Sequence, residues 1–328
     1  MDKMMSFQFQ QKSTSGGVNQ CGRRFSRFFS PRLLLAALTL LTTLYIGPEE
    51  VDAQLVNWRD LISAEVLPPD ELIQFGEDSL QFGELWLPDT ANRKTAVVLI
   101  HGGCWLSDYP GVELMHPMAN RLREEGFIVW NLEDRRLGHE GGGYPGTFLD
   151  VAEGADLLPS LLEERALQVA RILVSGHSAG GHLATWLASR NNIPMESVLR
   201  REHPMQPDGL ISLAGINDLE EYARYGSSSC GEKSVERLVD VVERGSDAYR
   251  DTSPAELLPL GIPYIEITAA FDAPVPPFFG RAFTEKARAA GDDVTLILQP
   301  EAGHFEMVTP WSSEWVDVLE KFIQLSEK

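Results

Sequence analysis

The sequence predicts an α/β fold, a mostly parallel central sheet with helices on both faces, and two observations predict it. Six short apolar runs recur along the chain: AVVLI (96–100), FIVW (127–130), RILVS (171–175), GLISL (209–213), YIEIT (264–268) and VTLIL (294–298). Runs of this length without polar alternation suit strands covered on both sides. Between them lie ELMHPMANRLREEG (113–126), GTFLDVAEGADLLPSLLEER (146–165), AGGHLATWLASR (179–190), RAFTEKARAAG (281–291) and WVDVLEKFIQL (315–325), with apolar residues at three- and four-residue spacing. Several close on Gly, the usual helix stop. Alternation of strand and helix without an internal repeat reads as one domain.

In chain order, residues 1–53 read as an export signal. Arg23, Arg24, Arg27 and Arg32 precede the apolar run LLLAALTLLTTLYI (33–46), and Val51 and Ala53 supply a small-residue cleavage step. The run is short of the roughly 20 residues that span a bilayer. Cleavage after Ala53, with export to the periplasm or the extracellular space, is therefore the expectation, and an uncleaved membrane anchor is the alternative. Residues 54–80 read as a leader and 81–328 as a single domain, with LQFGELWL (80–87) alternating weakly enough for an edge strand. The longest interruption, 216–261, is a candidate cap or crossover, with a loop-like stretch at 224–234 and one short helix over 235–245.

The chain carries 48 acidic and 28 basic residues, a formal charge of −20. That balance argues against nucleic acid or an anionic membrane surface as the main partner. Cys104 and Cys230 survive the expected cleavage, and either a disulfide or two free thiols fits them. No C-x-x-C or H-E-x-x-H spacing occurs, so no metal site is assigned and no cofactor is expected.

Ligands bind at the carboxyl ends of strands in open parallel sheets, so the residues that follow each apolar run carry the chemistry. After RILVS comes Gly176-His177-Ser178-Ala179-Gly180, a G-x-S-x-G pattern between a strand and a helix. Small flanks allow a serine to be held up on a sharp turn, and the same flanks would serve a plain packing turn. After AVVLI comes His101-Gly102-Gly103-Cys104-Trp105, whose glycines permit N–H groups to turn inward. The N–H groups of Gly103, Cys104 and Ala179 are the expected oxyanion hole, with His101 structural. His304 follows VTLIL as the base, and Asp272 follows YIEIT as its orienting carboxylate; Asp292, Asp293 and Glu301 are the competing carboxylates. The order Ser178, Asp272, His304 is that of a hydrolase triad on this architecture. Trp105 and Tyr144 are the expected substrate contacts, among several aromatic residues near the mouth.

On these residues the chain, from about Phe82 onward, resembles the α/β-hydrolase superfamily of serine esterases. HGGCW and GHSAGGHLA look most like the group of arylformamidases (kynurenine formamidase) and related carboxylesterases. Lipase-like relatives carry a third Gly where this chain has Cys104 and an Asp where it has His177. Thr268-Ala269-Ala270-Phe271 also departs from the usual step before the acid. The resemblance implies an exported serine hydrolase that cleaves small acyl or aryl carboxylic esters through an acyl-enzyme. An arylformamide hydrolase, a catalytically idle binding protein on the same fold, and a peptidase or dienelactone-type hydrolase are the alternatives. In each catalytic case the partner is a small ester or amide.

Overall fold

A computed structural model of the chain describes residues 55–328 apart from 227; the expected export signal lies outside the described residues. Eight strands run in chain order as β1 (Glu71–Gln74), β2 (Phe82–Trp86), β3 (Thr95–Ile100), β4 (Ile128–Leu132), β5 (Arg171–His177), β6 (Gly209–Leu213), β7 (Tyr264–Ala269) and β8 (Val294–Gln299). They form one sheet in the order β1-β2-β4-β3-β5-β6-β7-β8. The first two pair antiparallel and the other six are parallel. This is the α/β-hydrolase architecture, and all six apolar runs are its parallel strands.

Every residue of β3, β4, β6 and β7 is buried, which is why these strands show no polar alternation. The run in β8 has the same look in sequence but sits at the sheet edge, with Thr295 and Leu298 exposed. At the other end the edge is β1, not 80–87. Glu71–Gln74 alternates half-buried and exposed, while β2 lies between β1 and β4 with Gly83 to Trp86 buried. The sheet therefore begins inside the expected leader. That segment also holds α1 (Trp58–Ile62), which is closed by a reciprocal Asn57–Asp60 capping box and plants Leu61 in the core.

Beyond α1 come α2 (His116–Glu124), α3 (Gly146–Glu164), α4 (Ala179–Ser189), α5 (Leu219–Tyr225), α6 (Ser234–Leu238), α7 (Val241–Arg244), α8 (Phe278–Ala290) and α9 (Trp315–Ser326). In α9 Trp315, Val318, Phe322 and Leu325 recur at helical spacing and are buried, and Phe322 meets Phe127 edge-on. Burial of each such side chain is worth about 1.5–3 kcal/mol. The single helix expected over 235–245 is broken at Asp240, which has φ 56°. Val235, Leu238 and Val239 stay buried before the break, and Val242 after it is exposed.

Strand order reverses around β3. The chain leaves β3 for β4 on one side and returns from β4 to β5 on the other. Right-handed crossovers then place α2 on one face and α3 and α4 on the opposite face. The reversal opens a crevice at the carboxyl ends of β3 and β5. Among the described residues no helix is long and apolar enough to cross a membrane.

Candidate active site

Ser178 stands between β5 and α4 with φ 56° and ψ −118°, a backbone conformation that a serine adopts only at a cost of order 1–3 kcal/mol. Its surroundings hold it there. Its N–H donates to Leu213 O, and its carbonyl accepts from His182 N. A Cβ on Gly180 would lie 2.2 Å from Ile100 O, and one on Gly176 would lie 2.1 Å from Gly180 O. The small residues thus pack the turn tightly, and the same packing fixes the strained serine.

Asp272 and His304 project from the ends of β7 and β8 and are buried together. His304 Nδ1–H donates to Asp272 Oδ2 at 2.7 Å, and Asp272 Oδ1 accepts the Val275 N–H at 2.7 Å. The Asp272 side chain has no exposed surface. Of the competing carboxylates, Asp292 accepts from the N–H groups of Leu260 and Gly261 and so joins two surface turns. Asp293 and Glu301 are exposed.

Ser178 Oγ and His304 Nε2 make no hydrogen bond to one another among the described residues, and neither is a sealed polar atom. His177, the neighbour of Ser178, links the two segments. Its Nε2–H donates to the His304 carbonyl at 2.8 Å, and the two rings lie 4.5 Å apart. Burial, then the neighbouring His304, pushes the His177 pKa well below the ordinary histidine range and keeps the ring neutral.

The loop after β3 lies against this serine: a Cβ on Gly102 would be 3.3 Å from Ser178 Cβ. Gly103, Cys104 and Trp105 have φ of 102°, 56° and 58°, and Leu106 N–H closes the turn onto Gly103 O at 2.9 Å. The N–H groups of Gly103, Cys104 and Ala179 have no hydrogen-bond partner among the described residues. Ala179 also opens α4, where the helix dipole favours negative charge.

Three anchors fix that loop. Cys104 is joined to Cys230 in a disulfide with Cα atoms 5.1 Å apart. Trp105 Nε1–H donates to His182 Nδ1 at 3.1 Å, and His182 Nε2–H donates to Thr252 O at 2.8 Å. Burial lowers the His182 pKa to about 4, so this relay is neutral. The third anchor is His101, whose Nδ1–H donates to Gly102 O at 2.7 Å and whose Nε2–H meets Glu133 Oε1 at 3.1 Å. Burial alone would lower its pKa, but Glu133 and Asp134 outweigh that and hold it at about 10. Burial likewise would raise Glu133, and His101 overrides it to about 2. His101, Glu133 and Asp134 have ligand-type atoms within 4.8 Å of one another. Both imidazole nitrogens are donors here, and Arg136 Nη2 lies 3.4 Å from Glu133, so the group is an internally paired ion cluster.

Trp105, expected as a substrate contact, is 2% exposed and belongs to the packing behind the loop. Tyr144 is half-buried, with Arg244 over its ring at 3.6 Å and its hydroxyl 3.4 Å from Asp251 Oδ2. Phe271, next to Asp272 in the chain, and Phe278, at the start of α8, are open to solvent. Sequence reasoning assigned no role to His177 or His182 and left Cys230 open between a disulfide with Cys104 and a free thiol. The signals available were the one bulky flank of Ser178, a histidine one helical turn after it, and the second cysteine.

The BD-FAE family model matches residues 84–276. No curated protein sequence matches the chain. Among solved structures, esterase B from Lactobacillus rhamnosis (HN001) superposes with a TM-score of 0.67 at 19% identity, covering 82% of this chain and 90% of that one. A truncated carbohydrate esterase from gut microbiota gives 0.65 at 19% identity over 80% of this chain and 100% of that one. A thermophilic esterase from the Planctomycetes species Thermogutta terrifontis gives 0.58 at 21% identity, over 79% and 92%. At these identities the likeness is one of fold.

Proposed function

The chain belongs to the BD-FAE family, and from that premise we propose that it is a serine hydrolase of carboxylic esters with Ser178, His304 and Asp272 as its triad. The observation that carries the reading is the buried Asp272–His304 hydrogen bond, tied through His177 to the strained turn at Ser178. His304 Nε2 takes the proton of Ser178 Oγ as that oxygen attacks the acyl carbon. Asp272 stays ionised, holds the Nδ1–H tautomer and stabilises the imidazolium. The free N–H groups of Gly103, Cys104 and Ala179 receive the oxyanion. His304 then passes the proton to the leaving alcohol, and water repeats the sequence on the acyl-enzyme to release the acid.

Phe271 and Phe278 are exposed and offer apolar faces to a small acyl, aryl or sugar-borne group. The carbohydrate esterase among the structural relatives supports an acylated sugar as one alcohol part. The Cys104–Cys230 disulfide supports an oxidising compartment and hence export, with residues 1–53 as the signal.

The test is hydrolysis of p-nitrophenyl acetate and butyrate, acetylated and feruloylated sugars, and N-formylkynurenine by wild type and Ser178→Ala. Turnover of esters that vanishes in Ser178→Ala is the expected result. Preferential turnover of N-formylkynurenine would move the assignment to the arylformamidases, and no turnover of any substrate would leave a binding protein.

A further inference from the structure

We propose that Glu306 is a positioning residue for the base, coupling the amino-terminal end of the folded domain to the loop that carries His304. The inference rests on the serine-hydrolase reading above. Glu306 is 5% exposed, and both carboxylate oxygens are engaged by backbone donors. Oε2 accepts the Gly303 N–H at 2.8 Å, and Oε1 accepts the Val56 N–H at 2.6 Å, across 250 residues of sequence. The Leu55 side chain completes the contact, with Cδ1 3.0 Å from the point a Cβ on Gly303 would occupy.

These contacts bear on His304 from one side, and His177 bears on it from the other. Gly303 precedes the base, so fixing its N–H fixes the Ala302–Gly303 peptide one residue before His304. The His304 carbonyl, which ends the residue, is held by His177 Nε2–H. Charge-assisted bonds to a buried carboxylate are about twice as strong as neutral ones. Loss of either donor leaves a buried carboxylate oxygen short of a partner. The carboxylate therefore turns toward whatever donor remains, and the His304 loop turns with it. Residues 55–62 are pinned for this task by the Asn57 cap and by Leu61 in the core. Cleavage after Ala53 would make Val56 the third residue of the exported chain, so the new amino terminus would end beside the support of the base.

Three variants of the full chain test this: Val56→Pro, which deletes one donor and leaves Glu306 in place, Glu306→Ala, and Glu306→Gln, which keeps one acceptor oxygen. The readouts are kcat and KM on p-nitrophenyl acetate, the rate of fluorophosphonate labelling, and Tm. Val56→Pro and Glu306→Ala are expected to lower kcat and labelling rate by about ten- to a hundredfold, with KM within about twofold and a cooperative melt retained. Glu306→Gln is expected to recover part of the loss. Wild-type kcat and labelling in folded Val56→Pro and Glu306→Ala would overturn the proposal, as would a loss confined to KM. A wild type that takes no label would instead overturn the serine-hydrolase reading itself.

Discussion

His177, the residue before the strained serine, donates its ring Nε2–H to the backbone carbonyl of His304 at 2.8 Å. One side chain thus ties the turn after β5 to the loop after β8, which lies three strands away in the sheet. The bond requires hydrogen on Nε2; burial beside His304 keeps the ring neutral, so His177 holds the Nε2–H tautomer. His177→Ala removes the tie and leaves Ser178, His304 and Asp272 in place. A fall in kcat of about a hundredfold, with the melting transition retained, is the expected outcome. Unchanged kcat in a folded His177→Ala protein would show that the His304 loop needs no such tie.

Asp272→Asn is expected to lower kcat by about 10⁴-fold, because an amide cannot hold His304 in the Nδ1–H tautomer and stabilise its charge. Asp292→Asn supplies the contrast. Asp292 binds Leu260 and Gly261 N–H groups far from the base, so its loss should lower Tm and leave kcat intact. Reversed effects would move the acid assignment to Asp292.

The disulfide joins Cys104, in the loop beside Ser178, to Cys230 in the long connection between β6 and β7, 126 residues away. Chain-entropy reasoning gives a crosslink of that span up to about 4–5 kcal/mol. Cys230→Ser should lower Tm by several degrees and also lower kcat, since the Cys104 peptide loses one of its anchors. Activity at the wild-type level in the variant would show that Trp105 and His182 suffice to hold the loop.

Glu266 in β7 is fully buried, and burial pushes its carboxyl up to about 8. Between about pH 4.5 and 8 the folded protein keeps a proton that the unfolded chain releases, so this residue stabilises less as pH rises. His177 and His182, buried and neutral, act with the opposite sign below pH 6.5. The difference between wild type and Glu266→Gln isolates the carboxyl. The wild-type advantage in unfolding free energy should shrink steadily from pH 5 to 8, and a constant difference would show that Glu266 does not titrate there.

Much of this arrangement is legible in sequence because it depends on local pattern. Unbroken apolar runs follow from burial on both faces, and G-x-S-x-G, Asp272 and His304 each fall just past a strand end. What escapes depends on partners distant in the chain. ELIQ at the sheet edge is half-exposed and too short to stand out, so its neighbour β2 reads as the edge. The sequence leaves Cys104 and Cys230 open between a disulfide and two free thiols, because their closeness is set by the fold across a separation of 126 residues. His177 and His182 read as flanks of the serine because the carbonyls they bind lie 127 and 70 residues away. Trp105 reads as a rim aromatic until its indole is found paired with His182 behind the loop.

The most direct measurement is the site of covalent labelling. Wild-type protein treated with a fluorophosphonate should gain one adduct, and peptide mapping should place it on Ser178, with no adduct in Ser178→Ala and slow labelling in His304→Ala. An adduct on another residue, or equal labelling of wild type and Ser178→Ala, would contradict the assignment of Ser178 as the nucleophile.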